Sequence, residues 1–131
     1  MIGGNDCPDA ALSGLKGIKA IEYDSKYKHI YWIDGRTRTI KYMPENGSGN
    51  FSVLVSNVDT SADMALDIIG RTLYFSSPET NSINITKLEN SSFEGVIMQG
   101  DNMIPKFIIV HPIKRYCFFY LRLYISAIVW M

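Results

Sequence analysis

The chain has 131 residues, 13 basic and 13 acidic side chains, two cysteines and a hydrophobic fraction of 47%. This length suits one small domain, and the apolar fraction is sufficient for a packed core. The balanced charge gives no net attraction for nucleic acid or anionic lipid, and the widely separated Cys7 and Cys117 form neither a disulfide framework nor, alone, a zinc site.

The two ends of the chain differ in character. The first residues lack the basic region and apolar stretch of a secretory signal peptide. The run from Cys117 to Met131 is apolar apart from Arg122 and Ser126, but it is shorter than the roughly 20 residues that a membrane-spanning helix needs. We expect a core strand at 118–120, and the residues beyond it could form strand, coil, a terminal helix or a membrane segment.

Short β-branched and aromatic stretches separated by turn signals predict strands through the middle of the chain. Turn signals occur at Asp24-Ser-Lys, at Asn46-Gly-Ser and at Asn90. No stretch sustains the apolar spacing of an amphipathic helix. The predicted strands are 18–23, 29–34, 39–43 and 51–55, and then 64–67, 72–76, 82–88 and 94–98.

The second group of strands repeats the first. A shift of 43 residues superimposes the acidic and aromatic positions of the first copy on those of the second. A third copy begins after a further 44 residues, and His111 stands there at the position of the aspartate. Four short strands in about 40–45 residues is the period of a propeller blade. The equivalent positions are Asp24 and Asp67; Tyr31, Tyr74 and Phe118; Trp32, Phe75 and Phe119; and Ile40 and Ile83.

Asp24, followed by Tyr31-Trp-Ile-Asp34, resembles the YWTD repeat, also called the low-density lipoprotein receptor class B repeat. Six such repeats form a six-bladed β-propeller in that family. The stretches from Ala20 and from Ala65 are similar to the opening blades of the fourth propeller of arrow-type Wnt co-receptors, the low-density lipoprotein receptor-related proteins five and six. The resemblance implies an all-β, partial six-bladed propeller, with about two four-stranded antiparallel blades and the start of a third.

Some parts of the chain depart from the family pattern. Phe75 replaces the tryptophan of the motif in the second copy, and Leu121 to Met131 does not supply the polar turn and further strand that the family has there. We interpret the chain as a fragment or a faulty gene model, against a genuine short protein or a true membrane tail. The expected parts are a polar segment at 1–14, repeats at 15–61 and 62–105, the start of a third repeat at 106–120, and an apolar tail at 121–131.

The repetition also decides how the motif residues are interpreted. Asp24 and Asp67 could pair as catalytic carboxylates, but their equivalent places in successive blades favour structural hydrogen bonding. The recurring aromatic residues are typical of core and inter-blade packing. The resemblance implies the same, with the trailing Asp34 bonding to a neighbouring repeat. The predicted structural positions are Asp24, Tyr31, Trp32, Asp34, Ile40, Asp67, Tyr74, Phe75, Ile83, Phe118 and Phe119.

The sequence offers no set of residues for enzyme chemistry. His29, expected at a strand edge, and His111, expected in a turn, have no cysteine or carboxylate at metal-ligand spacing. No serine has a partner base, and no glycine run suits phosphate. We therefore expect a non-enzymatic protein with no catalytic residue, metal, cofactor, nucleic-acid partner or small-molecule substrate, and a buried thiol at Cys117.

Two further sets of residues could carry function. The sequons at Asn46, Asn50, Asn84 and Asn90 are candidates for N-glycosylation if the segment is secreted. The resemblance implies a protein-binding face, built from the loops before the first strand and after the aromatic motif of each blade. The candidate positions on that face are Lys19, Arg36, Asp63, Glu79 and Lys106, of which Arg36 alone is a typical interface anchor.

By resemblance, the chain is an extracellular segment of a single-pass plasma-membrane receptor. It would be part of a Wnt co-receptor propeller that binds Wnt ligands and Dickkopf-type antagonists, beside neighbouring blades and an EGF-like module. The alternative is a propeller segment of a lipoprotein or endocytic receptor, or of a nidogen-like matrix protein.

Overall fold

The computed structural model describes residues 17–47, 50–89, 94–101, 104–111, 116–121 and 125–130; for the last two ranges only the strands and their pairing are described. These residues form strands and one short 3-10 turn, Pro78–Thr80. The strands are β1 (Ile18–Asp24), β2 (His29–Asp34), β3 (Thr39–Pro44), β4 (Ser52–Ser56), β5 (Met64–Asp67), β6 (Thr72–Ser77), β7 (Ser82–Lys87), β8 (Glu94–Gln99), β9 (Pro105–Val110), β10 (Tyr116–Leu121) and β11 (Ile125–Trp130).

The strands form three antiparallel sheets in chain order. Strands β1 to β4 form a four-stranded sheet, blade 1, in which each strand pairs with the next. Strands β5 to β8 form blade 2 in the same way, and β9 to β11 form a three-stranded sheet, blade 3. Each sheet is a meander of consecutive antiparallel strands, an arrangement that needs only short connections. The predicted all-β fold, with two four-stranded blades followed by a third, is confirmed.

The pairing register reproduces the repeat. In each blade the aromatic motif lies on the second strand and pairs with the first strand. The pairs are separated by the same 43 and 44 residues as the sequence repeat. They are Tyr31 with Glu22, Tyr74 with Ala65, and Phe118 with Ile109.

Strand β11 lies in the tail that the sequence left open. We expected strand, coil, a terminal helix or a membrane segment after Tyr120, and Ile125–Trp130 forms a strand that pairs antiparallel with β10. The reason is that Ile125, Ile128 and Val129 are β-branched and favour a paired, extended backbone. Within the described ranges, no helix is long and apolar enough to cross a membrane.

The blades pack face to face through two apolar seams. Seam one, between blades 1 and 2, buries Tyr31 from β2 against Leu73 and Phe75 from β6. Seam two, between blade 2 and β9, buries Tyr74 with Ile108. Successive side chains on a strand point to opposite faces of the sheet, so the neighbours Tyr74 and Phe75 serve different seams.

Trp32 lies on the face of blade 1 opposite seam one. It is only 1% exposed, and its ring meets that of Phe51 edge-on at 6.2 Å between centroids. The Lys41 ammonium lies 4.5 Å from the centroid of the same Phe51 ring. The Phe51 ring therefore covers the tryptophan on this face, and the Lys41 ammonium contacts Phe51 in turn.

Candidate functional site

The blades have two ends with different polar chemistry. The turn end carries the turns between the first and second strands, at 25–28 in blade 1 and 68–71 in blade 2. The loop end, opposite, carries the segments that enter the first strand and leave the second. The candidate ligand-face residues lie at the loop end.

At the turn end, a repeated aspartate shapes each turn. The Oδ1 atom of Asp24 accepts a hydrogen bond from the backbone N–H of Lys26 at 3.0 Å, and that of Asp67 accepts from Gly70 at 2.9 Å. Such bonds replace backbone pairing in a tight turn. Both turns close on a basic residue in the left-handed region, Lys28 at φ 58° and Arg71 at φ 55°.

Arg71 of blade 2 forms an ion pair across seam one. Its Nη2 atom donates to Asp24 Oδ2 of blade 1 at 2.7 Å, and its Nε atom donates to Glu89 Oε1 at 2.9 Å. The guanidinium carbon also lies 4.6 Å from the centroid of the Tyr27 ring in blade 1. One arginine therefore connects the two blades through an ion pair and a cation–π contact.

The Asp24–Arg71 pair is held in its charged form. Burial of Asp24, which is 0% exposed, acts to raise its pKa, but hydrogen bonds from Arg71 and from the backbone of Lys26 hold the pKa below its usual range. Burial acts to lower the pKa of Arg71, and the bonds to Asp24 and Glu89 raise it. A buried charge that is paired in this way becomes costly once its partner is removed.

An open aromatic cleft of about 420 Å³ lies beside this pair. Tyr31 stacks on Tyr42 at 5.3 Å between centroids, and His29 meets Tyr42 edge-on at 5.7 Å. Burial, followed by the nearby charge of Asp24, raises the pKa of Tyr31 to about 12. His29, which was expected at a strand edge, is the half-buried first residue of β2 and belongs to this aromatic group.

Asp34, the trailing residue of the motif, bonds within blade 1. Its Oδ1 atom accepts from the N–H of Arg36 at 2.9 Å, and its Oδ2 atom accepts from Lys41 Nζ at 2.7 Å. Burial acts to raise the pKa of Asp34, but Lys41 and the turn N–H groups lower it to about 2. The bond to a neighbouring repeat that the resemblance implied for Asp34 is made instead by Asp24 in seam one.

At the loop end, Lys19 and Arg36 lie over two glycines. The N–H of Gly35 donates to the carbonyl of Gly17 at 3.0 Å. A Cβ at Gly35 would lie 2.7 Å from Lys19 Cε, and one at Gly17 would lie 2.7 Å from Arg36 Cγ. The glycines therefore let two exposed basic side chains lie flat on the backbone.

Glu79 lies in a second polar link between blades 1 and 2. Its carboxylate accepts from Arg38 Nη2 at 2.8 Å, in a pair whose side chains are 47% and 51% exposed. Its backbone N–H donates to Asp59 Oδ2 at 2.6 Å. Burial acts to raise the pKa of Asp59, and the N–H donors of Ser61 and Glu79 hold it below the usual range.

Asp63 and Lys106 occupy different environments at this end. Asp63 is half-buried, and its Oδ2 atom accepts from the backbone N–H of Ile108 in β9 at 3.1 Å. Burial of Glu22, followed by the charge of Asp63, raises the pKa of Glu22. Lys106 is exposed on β9. The structure thus uses Asp63 as a link in seam two, whereas Lys19, Arg36, Glu79 and Lys106 are accessible.

The other predicted positions fall into three groups. Ile40 and Ile83 are fully buried in the two seams. Asn46 and Asn50 are exposed, and Asn84 is half-buried in β7. Asn90, Cys7, and the side chains of Cys117, Phe118 and Phe119 lie outside the described part of the chain.

Sequence reasoning missed the basic partners of three acidic residues. Arg71, Lys41 and Arg38 were not singled out, although they make the ion pairs with Asp24, Asp34 and Glu79. One signal was present for Arg71, because the shift of 43 residues aligns it with Lys28 and so keeps a basic residue at one repeat position. The pairing itself joins residues 47 positions apart and depends on how the blades pack.

The sequence of the chain is similar to those of two named receptors. No family model matches the chain. Human low-density lipoprotein receptor-related protein 5 is 39% identical over 114 residues, which cover 82% of this chain. The mouse protein of the same name is 36% identical over the same length. The chain spans only 7% of the length of either relative.

Solved structures support the propeller fold. A chain of a nidogen/laminin complex superposes with a TM-score of 0.70 at 21% identity, over 80% of this chain and 40% of that one. The β-propeller domain of Myceliophteria thermophila Cps50 (Swd1) superposes with a TM-score of 0.60 at 13% sequence identity, over 80% of this chain and 32% of that one. A gluconolactonase from Xanthomonas campestris superposes with a TM-score of 0.63 at 14% sequence identity, over 78% of this chain and 34% of that one. These likenesses concern the fold alone. The 39% identity to human low-density lipoprotein receptor-related protein 5, over 82% of this chain, shows that the chain belongs to the low-density lipoprotein receptor-related family with class B (YWTD) propeller repeats.

Proposed function

We propose that the chain is a non-enzymatic, extracellular part of a receptor propeller that binds protein ligands at its loop end. The observation that carries this proposal is the 39% identity to low-density lipoprotein receptor-related protein 5 over most of the chain. The gluconolactonase likeness, at 14% identity, gives no support for an enzyme. The ligands that fit this family are Wnt proteins and Dickkopf-type antagonists.

The loop end supports a contributing rather than an anchoring surface. Lys19, Arg36 and Lys106 are exposed and basic, and Glu79 is exposed but paired with Arg38. Exposed charges at the rim of an interface act mainly on the association rate, whereas buried aromatic and arginine residues supply most of the affinity. This part of the propeller therefore steers an acidic patch of the ligand toward the loop end.

The test uses the full receptor that carries this chain, with surface plasmon resonance against a purified Wnt and a purified Dickkopf protein. Arg36→Glu should lower the association rate several-fold, and the loss should shrink at high salt. The matched control is Lys26→Glu, which makes the same charge change on an exposed residue at the turn end. Equal effects of the two variants, or no binding of either ligand, would contradict the proposal; binding to a laminin instead would favour the nidogen-like alternative.

A further inference from the structure

Two sequons lie entirely within the described part of the chain, and their surroundings differ. Asn50, Phe51 and Ser52 are all exposed. Asn84 is half-buried, and the hydroxyl-bearing residue of its sequon, Thr86, is fully buried. A glycosylated asparagine needs a surface position, because the attached sugar is large and hydrated.

The attachment atom of Asn84 is already engaged in a hydrogen bond along its own strand. Its Nδ2 atom donates to the Ser82 hydroxyl at 3.2 Å, and Ser82 is only 2% exposed. The backbone of Asn84 also pairs on both sides, with Phe75 of β6 and Val96 of β8. A glycan on this nitrogen would have to fit beside the buried Ser82 hydroxyl in the middle of blade 2.

Asn50 lies two residues before the start of β4, which forms the outer edge of blade 1. Next to it, Phe51 is held by the Trp32 ring and by the Lys41 ammonium. Phe51 and Val53 are nevertheless 52% and 47% exposed, so this edge presents apolar side chains beside a strand that has a neighbour on one side only. Exposed apolar edges of this kind promote pairing with other chains, and proteins commonly cover them.

We propose that Asn50 carries an N-linked glycan that covers the outer edge of blade 1, and that Asn84 stays unmodified. The proposal rests on the extracellular placement given above, because the acceptor must enter the secretory pathway. The geometry selects Asn50 because its whole acceptor tripeptide is at the surface and its side chain extends from the segment that leads into an edge strand.

The test expresses the full chain behind a secretory leader in cultured animal cells. Peptide N-glycosidase F in heavy-oxygen water converts occupied asparagines to labelled aspartates, which peptide mass spectrometry locates. We expect label at Asn50 and none at Asn84. On gels, Asn50→Gln and Ser52→Ala should each remove the mass of one glycan, whereas the matched control Asn84→Gln should leave the mobility unchanged.

An unlabelled Asn50, or a labelled Asn84, would overturn the proposal. Because peptide mapping is done on the unsubstituted chain, the result does not depend on a variant that folds poorly. The leader delivers the chain to the secretory pathway in any case, so an unoccupied Asn50 leaves the proposed ligand binding untouched. Conversely, if the receptor failed to bind a Wnt or Dickkopf protein, the assignment of a glycan to Asn50 would not be affected.

Discussion

Seam one and seam two join successive blades, and the described residues show different polar links in the two seams. In seam one, Arg71 of blade 2 reaches back to Asp24 of blade 1 at the turn end. In seam two, the described polar link lies at the loop end, where Asp63 of blade 2 reaches forward to the backbone N–H of Ile108. One link is an ion pair between side chains, and the other is a bond from a side chain to the backbone.

The repeat positions show which features of seam one also occur in seam two. The residue of blade 1 at the position of Asp63 is Ala20, which packs against the apolar cluster of seam one. The residue of the third copy at the position of Arg71 is Arg115, which lies outside the described residues. Strand register and apolar positions therefore recur from blade to blade. Among the described residues, the link through Asp63 belongs to seam two, because Ala20 offers no carboxylate at that position in seam one.

The largest effect is expected from removing the cation of seam one. Arg71→Met leaves Asp24 buried without a partner, which should lower the free energy of unfolding by about 3–5 kcal/mol in urea titrations. The matched control is Arg38→Met, which breaks the exposed pair with Glu79 and should cost about 1 kcal/mol or less. Equal losses in the two variants would mean that seam one does not depend on its buried pair.

The apolar part of seam one should matter nearly as much. Leu73 is fully buried there, so Leu73→Ala should lower the free energy of unfolding by about 2–5 kcal/mol through lost burial and a residual cavity. Ile69→Ala, at a residue that is 64% exposed in the turn of the same blade, should change it by no more than about 0.5 kcal/mol. A small loss for Leu73→Ala would show that the two blades are not packed as described.

The link that Asp34 makes inside blade 1 should make the free energy of unfolding depend on pH. Because folding lowers the pKa of Asp34 from 3.8 to about 2, its contribution is fully present above about pH 4 and is lost as the pH falls toward 2. The size is about 2 kcal/mol. In Asp34→Asn, the free energy of unfolding should change less between pH 4 and pH 2 than it does in the unsubstituted chain. An unchanged dependence on pH would mean that other carboxylates cause it.

The smallest effect is expected in seam two. Asp63→Ala removes the acceptor for the Ile108 N–H and should cost about 1–2 kcal/mol, measured by chemical unfolding. Hydrogen exchange should also become faster at Ile108, because that amide loses its partner. Asp101→Ala, at an exposed residue whose described bond is made by its carbonyl, serves as the control. Unchanged exchange at Ile108 in the Asp63 variant would contradict the link.

The sequence predicted the strands well and the polar partners poorly. Runs such as 29–34 and 64–67 match β2 and β5, because β-branched and aromatic residues with turn signals specify local structure. The partners of Asp24 and Asp34 depend on packing across a seam and on side-chain reach, which a repeat alone does not encode. For the tail the sequence left strand, coil, helix and membrane segment open, because its apolar run lacks the turn residues that identified the other strands.

The measurement that most directly tests the central claim is a double-mutant cycle on Asp24→Asn and Arg71→Met. Asparagine keeps an oxygen acceptor for the turn N–H of Lys26 and removes only the charge. If the pair joins blades 1 and 2, the loss of unfolding free energy in the double variant should be smaller than the sum of the two single-variant losses by about 2 kcal/mol or more. Losses that add within about 0.5 kcal/mol would contradict the account, because they would show no coupling between the two blades through this pair.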